Sequence, residues 1–150
     1  MTTTMWADRS DRQMKKKVYI CAPLGGNVKK NLNRVRNYTR YALMCCTAPV
    51  VPHFYALCLD DRIPKEREIG MAAGLSLLWF CDEMWIFGDE ITAGMAEEIQ
   101  FCKTLNVKTR KVRDSEIKKV LGGKIHEKAG FMGPVPGFTA AVLFRLRQKS

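Results

Sequence analysis

Two adjacent glutamates, Glu97 and Glu98, lie in a helix-like segment that predicts different surroundings for their carboxylates. At about 100° per residue, Met95, Ile99 and Cys102 form an apolar stripe, with Glu97 roughly opposite Met95 and Glu98 only about 40° to 60° from Met95 and Cys102. We therefore expect Glu97 at the surface and Glu98 at the edge of the core. A carboxylate in that position is costly unless it is paired or used. The spacing leaves two interpretations open: a functional carboxylate, or a structural one that snorkels to solvent or pairs with an arginine.

A second candidate for chemistry is the glycine pair Gly25-Gly26, which follows an apolar strand-like run at residues 17–22. Asn27 comes next and is a good N-cap for a helix. Backbone N–H groups of such a loop and the positive end of the helix dipole suit a phosphate or a carboxylate. The sequence has neither a GxGxxG nor a GxxxxGK[ST] pattern. A tight turn without a ligand is equally compatible with the spacing.

His53 is predicted at the end of a second strand, where it could reach the base or the phosphate of a ligand or serve the structure alone. The six cysteines include no CxxC pair, and most lie in apolar runs. We therefore expect no metal site and a reducing, cytoplasmic location. Trp79 and Trp85 lie in apolar elements and are expected in the core.

Strands and helices alternate along the chain, which predicts an α/β fold. The expected architecture is a three-layer sandwich with a mainly parallel sheet of four to five strands and helices on both faces, Rossmann-like or flavodoxin-like. The strands that contain Val18 and Trp85 are expected at its centre. Ligands of such sheets bind outside the carboxyl ends of the strands. The predicted strands are 17–22, 49–54, 83–87 and 107–112, and the predicted helices are 27–46, 66–81, 92–105, a short one capped by Asp114 and ending at Gly122, and 139–148 after a loop at 123–138.

The net charge of +10 over 150 residues is unevenly distributed. Residues 1–17 carry +3, residues 103–150 carry +9, and residues 18–102, which hold the motifs, carry −2. This pattern predicts a disordered basic tail at residues 1–16 followed by one domain at 17–150. A nucleic-acid-binding accessory protein would rest on the C-terminal charge alone, so we expect only non-specific binding there. The longest apolar run is far shorter than the roughly 20 residues that span a bilayer, so no membrane association is expected.

Four segments carry a resemblance to the nucleoside 2-deoxyribosyltransferase superfamily: VYICAPLGG, PVVPHF, CDEMWIFG and TAGMAEEI. The similarity covers about residues 18–112, and TAGMAEEI is its most specific piece. The superfamily includes deoxynucleoside monophosphate N-glycosidases. The resemblance implies a nucleoside or nucleotide ligand, no cofactor, and a homo-oligomer, because members often complete their sites across a subunit interface.

The resemblance also implies roles for particular residues. Glu98 matches the nucleophile that attacks the anomeric carbon of the sugar, and Tyr19 would orient it. Residues 19–26 resemble the loop that holds the sugar phosphate, and Thr92 replaces a serine that contacts phosphate. The implied ligand-binding set is Ile20, Cys21, Ala22, Pro23, Leu24, Gly25, Gly26, Asn27, His53, Asp89, Thr92 and Gly94.

Two departures from the family pattern affect the expected activity. Gly74 stands where the enzymes carry an aspartate, which leaves the proton donor to the departing base in question. Thr92-Ala93 stands where an aspartate often precedes the glycine in the transferases. Nearby acids that could replace the donor are Asp60, Asp61, Glu66 and Glu68. Two hypotheses follow: an N-glycosidic-bond hydrolase or deoxyribosyltransferase-like enzyme, and a non-catalytic nucleotide-binding protein with a degenerate active site.

Overall fold

Strand β1 (Lys17–Cys21) occupies an inner position in a sheet of four parallel strands. The computed structural model describes residues 14–122. The order of the sheet is β2-β1-β3-β4, with β2 at Ala48–Val50, β3 at Glu83–Ile86 and β4 at Lys108–Lys111. The α/β class and the central position of β1 and β3 are therefore confirmed.

Helices cover both faces of the sheet, which confirms the three-layer architecture. Successive side chains of β1 point to opposite faces of the sheet, as the pleat of a strand requires. Val18 and Ile20 belong to the apolar cluster on one face, and Tyr19 and Cys21 belong to the cluster on the other. Helices α1 (Val28–Met44) and α4 (Asp114–Leu121) contribute to the first cluster. Helices α2 (Pro64–Leu78) and α3 (Ala93–Thr104) contribute to the second.

The connections place a switch point between the carboxyl ends of β1 and β3. The chain runs from β1 through α1 to β2, which forms one edge of the sheet. It runs from β3 through α3 to β4, which forms the other edge. The two loops diverge to opposite faces, so a crevice opens between them. This crevice is the place where the sequence predicted a site.

The second strand was predicted too long. Strand β2 ends at Val50, and a 3₁₀ helix follows at Pro52–Leu57 with its proline in the first turn. Proline suits that position because its fixed φ is helical and its missing N–H has no partner to lose there. His53 therefore lies on a helical turn and not on a strand.

The core position predicted for Trp79 was wrong, whereas Trp85 is buried as expected. Helix α2 ends at Leu78, three residues earlier than predicted. The buried face of the helix ends with Gly74 and Leu78, and Trp79 at the C-cap is 66% exposed beside the edge of Phe101.

The cap of α4 also differs from the prediction. Arg113 is the N-cap residue, and Asp114 is the first residue of the helix. The carboxylate of Glu116 accepts a hydrogen bond from the backbone N–H of Arg113 at 3.1 Å, so an acid one turn inside the helix satisfies the N-terminus instead.

The predicted tail at 1–16 lies outside the described residues except for its last three positions. The loop at 123–138, the helix at 139–148 and most of the C-terminal charge also lie outside them.

Candidate active site at the carboxyl edge of the sheet

Glu98 lies on the buried face of α3, one turn after Met95 and one turn before Cys102. Thr92 caps this helix, and its side-chain oxygen accepts the backbone N–H of Met95 at 3.3 Å. Glu98 is only 9% exposed, whereas Glu97 is exposed. The predicted separation of the two glutamates is therefore confirmed, because it depends only on helical periodicity.

Tyr19 of β1 donates a hydrogen bond from its hydroxyl to Oε1 of Glu98 at 2.7 Å. Burial raises the pKa of Glu98, and hydrogen bonds from Tyr19 and Cys21 oppose this effect. Burial and the neighbouring carboxylate also raise the pKa of Tyr19, so its hydroxyl keeps its proton and remains a donor. The sequence left an arginine partner for Glu98 open. Within residues 14–122, the carboxylate instead accepts a hydrogen bond from the phenol of Tyr19.

A cleft opens above this pair and encloses about 680 Å³, including open space at its mouth. Parts of the loop after β1, the 3₁₀ helix, α2 and the first turns of α3 line it. The lining residues are Ala22, Leu24, Gly25, Pro52, His53, Tyr55, Ala56, Leu59, Asp61, Glu66, Arg67, Gly70, Met71, Gly74, Thr92, Gly94, Met95 and Glu98.

Seven of the predicted site residues line this cleft, and the others take different positions. The side chain of Ile20 packs in the opposite layer, because neighbouring residues of a strand face opposite ways. Cys21 is fully buried in the sheet. Asn27 caps α1 by accepting the N–H of Lys30 at 3.0 Å. The predicted residues that line the cleft are Ala22, Leu24, Gly25, His53, Thr92, Gly94 and Glu98, and those that do not are Tyr19, Ile20, Cys21, Pro23, Gly26, Asn27 and Asp89.

The glycine loop is held in place from α1. The amide of Asn31 donates to the carbonyls of Leu24 and Gly25, both at 2.9 Å. Gly26 has φ of +84°, a backbone conformation that favours glycine. These contacts give the loop a defined shape beside the cleft.

His53 joins the 3₁₀ helix to the end of β1. Its Nε2 lies 2.7 Å from the carbonyl oxygen of Ala22, and a carbonyl only accepts, so Nε2 carries the proton. Burial lowers the pKa of His53, which favours a neutral ring. Its Nδ1 is buried and has no hydrogen-bond partner within residues 14–122. A neutral imidazole offers no positive charge to a phosphate.

An ion pair at the mouth of the cleft was not predicted. Nη1 of Arg67 lies 3.1 Å and 2.9 Å from the two carboxylate oxygens of Asp61. The sequence indicated Asp61 and Glu66 only as possible acids, and both line the cleft, whereas Asp60 and Glu68 do not. Nothing in the spacing of Asp61 and Arg67 indicated that the loop before α2 would fold back onto its first turn.

Gly74 is packed tightly below the catalytic candidates. A Cβ atom built on it would lie 3.1 Å from the Tyr19 hydroxyl oxygen and 3.1 Å from Cβ of Pro52. These distances are shorter than ordinary van der Waals contact, so a side chain here would displace its neighbours. The space that a side chain at position 74 would need is therefore occupied by Tyr19 and Pro52.

Two features are absent from residues 14–122. No group of three or more His, Cys, Asp or Glu side chains is arranged to hold a metal ion. None of the helices in this range combines the length and apolar character needed to cross a membrane.

The fold and the cleft define a flavodoxin-like α/β protein with a buried carboxylate at the switch point of its sheet. The chain belongs to the family described as "Domain of unknown function (DUF7768)", which matches residues 16–112. No curated protein matches the sequence.

One solved structure with a similar fold is the 2-deoxyribosyltransferase from the psychrotolerant bacterium Bacillus psychrosaccharolyticus. The TM-score is 0.51 and the sequence identity is 15%, with 69% of this chain and 81% of that chain covered. This similarity establishes a shared fold.

Proposed function

We propose that the protein acts on the N-glycosidic bond of a nucleoside or a nucleoside monophosphate, as a hydrolase or a deoxyribosyltransferase. The observation that carries the proposal is the buried Glu98 carboxylate, which accepts a hydrogen bond from Tyr19 and lines the cleft at the switch point. The resemblance of TAGMAEEI to the nucleophile helix of the deoxyribosyltransferase superfamily and the shared fold support it.

In the proposed reaction, a Glu98 oxygen attacks C1′ of the sugar while the bond from C1′ to the base nitrogen breaks. The bonding electrons leave with the base, and a covalent glycosyl ester forms on Glu98. Water or a second base then attacks C1′ and releases the carboxylate. The hydroxyl of Tyr19 donates to Oε1 of Glu98 and fixes the direction of the other oxygen. The attack needs an ionised carboxylate, so activity is expected to fall as the pH falls through the raised pKa of Glu98.

A second candidate function is binding without catalysis, and Gly74 is the observation that favours it. The departing base needs a proton or a good leaving group, and no side chain at position 74 can supply the proton. The remaining carboxyl groups that line the cleft are those of Asp61 and Glu66. The carboxylate of Asp61 is paired with Arg67, and that of Glu66 accepts the backbone N–H of Asp60 at 2.5 Å.

The test is to incubate the protein with a panel of nucleosides and monophosphates and to measure released base by chromatography. We expect release by the wild type, and a loss of about 1,000-fold or more in Glu98→Gln, because an amide keeps the shape but is a very poor nucleophile. Glu97→Gln is the matched control, and its activity should be close to that of the wild type because its side chain is exposed.

Equal loss in the two variants would contradict the assignment of Glu98 as nucleophile. If no base is released but ligands raise the melting temperature, the binding function is the correct one.

A further inference from the structure

The cleft contains more negative than positive side chains. Asp61, Glu66 and Glu98 contribute carboxyl groups, and Arg67 contributes the one guanidinium among the lining residues. Arg67 already has a counter-charge, since both carboxylate oxygens of Asp61 accept from its Nη1. Among residues 14–122, the lining of the cleft therefore offers no uncompensated cation with which to attract an anionic ligand.

The ion pair lies between the two backbone segments that end β1 and begin α3. A Cβ atom on Gly25 would lie 3.6 Å from both Oδ2 of Asp61 and Nη1 of Arg67, and one on Gly94 would lie 3.6 Å from Nη2 of Arg67. The glycine loop and the helix N-terminus are the elements that would otherwise suit an external anion. The carboxylate of Asp61 takes a place beside that loop and supplies an internal anion instead.

From this arrangement, and resting on the proposed function, we infer that Asp61 makes the cleft selective for uncharged nucleosides over nucleoside monophosphates. A phosphate monoester carries about −1.5 to −2 charges at neutral pH. Placed between the loop and α3, it would meet a like charge on Asp61, whose side chain is only 19% exposed, so that solvent screens the repulsion poorly. A sugar hydroxyl in the same place meets a hydrogen-bond acceptor and no repulsion.

The alternative is that a phosphate displaces Asp61 and takes over Arg67, whose planar guanidinium matches a phosphate well. The cleft would then prefer monophosphates. One measurable ratio distinguishes the two cases: the affinity for a nucleoside divided by the affinity for its 5′-monophosphate. The inference predicts a ratio above one, and the alternative predicts a ratio below one.

The experiment compares the wild type with Asp61→Asn and with Asp60→Asn as the matched control. Asp60 precedes Asp61 and also pairs with an arginine, Arg62, at 2.7 Å, but it does not line the cleft. Both variants lose one negative charge, so a general change in net charge would affect them equally. The probes are the four common 2′-deoxynucleosides and their 5′-monophosphates, measured by isothermal titration calorimetry, or as kcat/KM ratios where base is released.

We expect the wild type to prefer nucleosides by about tenfold or more, and Asp61→Asn to bind monophosphates at least about tenfold more tightly while nucleoside affinity changes by less than about threefold. These ranges correspond to roughly 1.4 kcal/mol for each tenfold step. Asp60→Asn should keep the wild-type preference.

A wild-type preference for monophosphates would overturn the inference, and so would equal shifts in the two variants. Release of base from any compound of the panel would still leave the proposed function standing. Absence of any binding or turnover would overturn both.

Discussion

Glu98 and Tyr19 form a hydrogen-bonded pair in which burial is the largest cause of both pKa shifts and each residue also shifts the pKa of the other. The phenol stays protonated because it is buried beside a carboxylate, and the hydrogen bond it donates offsets part of the cost of burying that carboxylate. The proposed chemistry uses this balance, since a nucleophile must be ionised although its surroundings favour the neutral acid. A site of this kind costs the folded protein stability at the pH where it works.

The first prediction concerns the stability of the Glu98→Gln variant. Because the pKa of Glu98 is raised in the folded protein, the folded state binds a proton more readily than the unfolded chain does. Its contribution to stability is fully present below the pKa of the unfolded chain, about 4.3, and is lost as the pH rises through the folded pKa. We therefore expect Glu98→Gln to exceed the wild type in free energy of unfolding at pH 7, with a gap that shrinks toward pH 4.

Urea denaturation at several pH values measures this gap, and Glu97→Gln serves as the control that should follow the wild type. A gap between Glu98→Gln and wild type that stays constant from pH 4 to pH 7 would contradict the prediction.

At the scale of the elements, α2 contains two glycines, Gly70 and Gly74, whose neighbours differ in stiffness. A Cβ on Gly70 would lie 3.3 Å from Cδ1 of Leu59, the end of a flexible side chain. A Cβ on Gly74 would lie 3.1 Å from the ring of Pro52 and from the Tyr19 hydroxyl. Helix α2 therefore uses Gly74 for a close approach to β1 and the 3₁₀ helix, which a larger residue would prevent.

The second prediction compares Gly70→Ala with Gly74→Ala. Both changes gain up to about 1 kcal/mol of helix propensity. We expect Gly70→Ala to raise the free energy of unfolding by part of that amount, because Leu59 can move aside. Gly74→Ala should lower it by about 1 to 3 kcal/mol, the usual cost of an overpacked core. Chemical denaturation of both variants measures the difference, and equal stabilisation would show that Pro52 and Tyr19 yield without cost.

At the scale of the whole molecule, the charge and the cleft lie on different parts of the chain. The sequence carries +10 overall, yet residues 18–102, which contain all the residues that line the cleft, carry −2. Every residue of the edge strand β4 is exposed, and three of its four residues are basic. Positive charge on an edge strand also discourages pairing with the sheet of another molecule.

The third prediction is that any binding to duplex DNA is weak and independent of sequence. Lysines and arginines that neutralise phosphates release counterions, so the affinity should fall by roughly tenfold or more between 50 and 200 mM salt. Fluorescence anisotropy with two unrelated duplexes of equal length measures it, and the two affinities should agree. Salt-tolerant preference for one duplex would contradict this expectation and support a dedicated nucleic-acid function.

The sequence by itself determined the properties that depend on local periodicity and local chemistry. The alternation of strands and helices, the caps at Asn27 and Thr92, and the burial of Glu98 but not Glu97 all follow from spacing along one element. The parallel sheet follows as well, because strands that alternate with helices in a short chain can pair in few other ways.

Only the tertiary structure decided which side chains meet across elements. The family resemblance implied that Tyr19 orients Glu98, but no periodicity predicts it. Their 2.7 Å contact joins residues 79 positions apart and depends on how α3 packs on β1. The fold of the loop before α2 places Asp61 on Arg67, and the early end of α2 leaves Trp79 exposed. These outcomes depend on the distances and angles between packed elements, which a one-dimensional pattern does not contain, since periodicity fixes the face a residue occupies and not the neighbour it finds there.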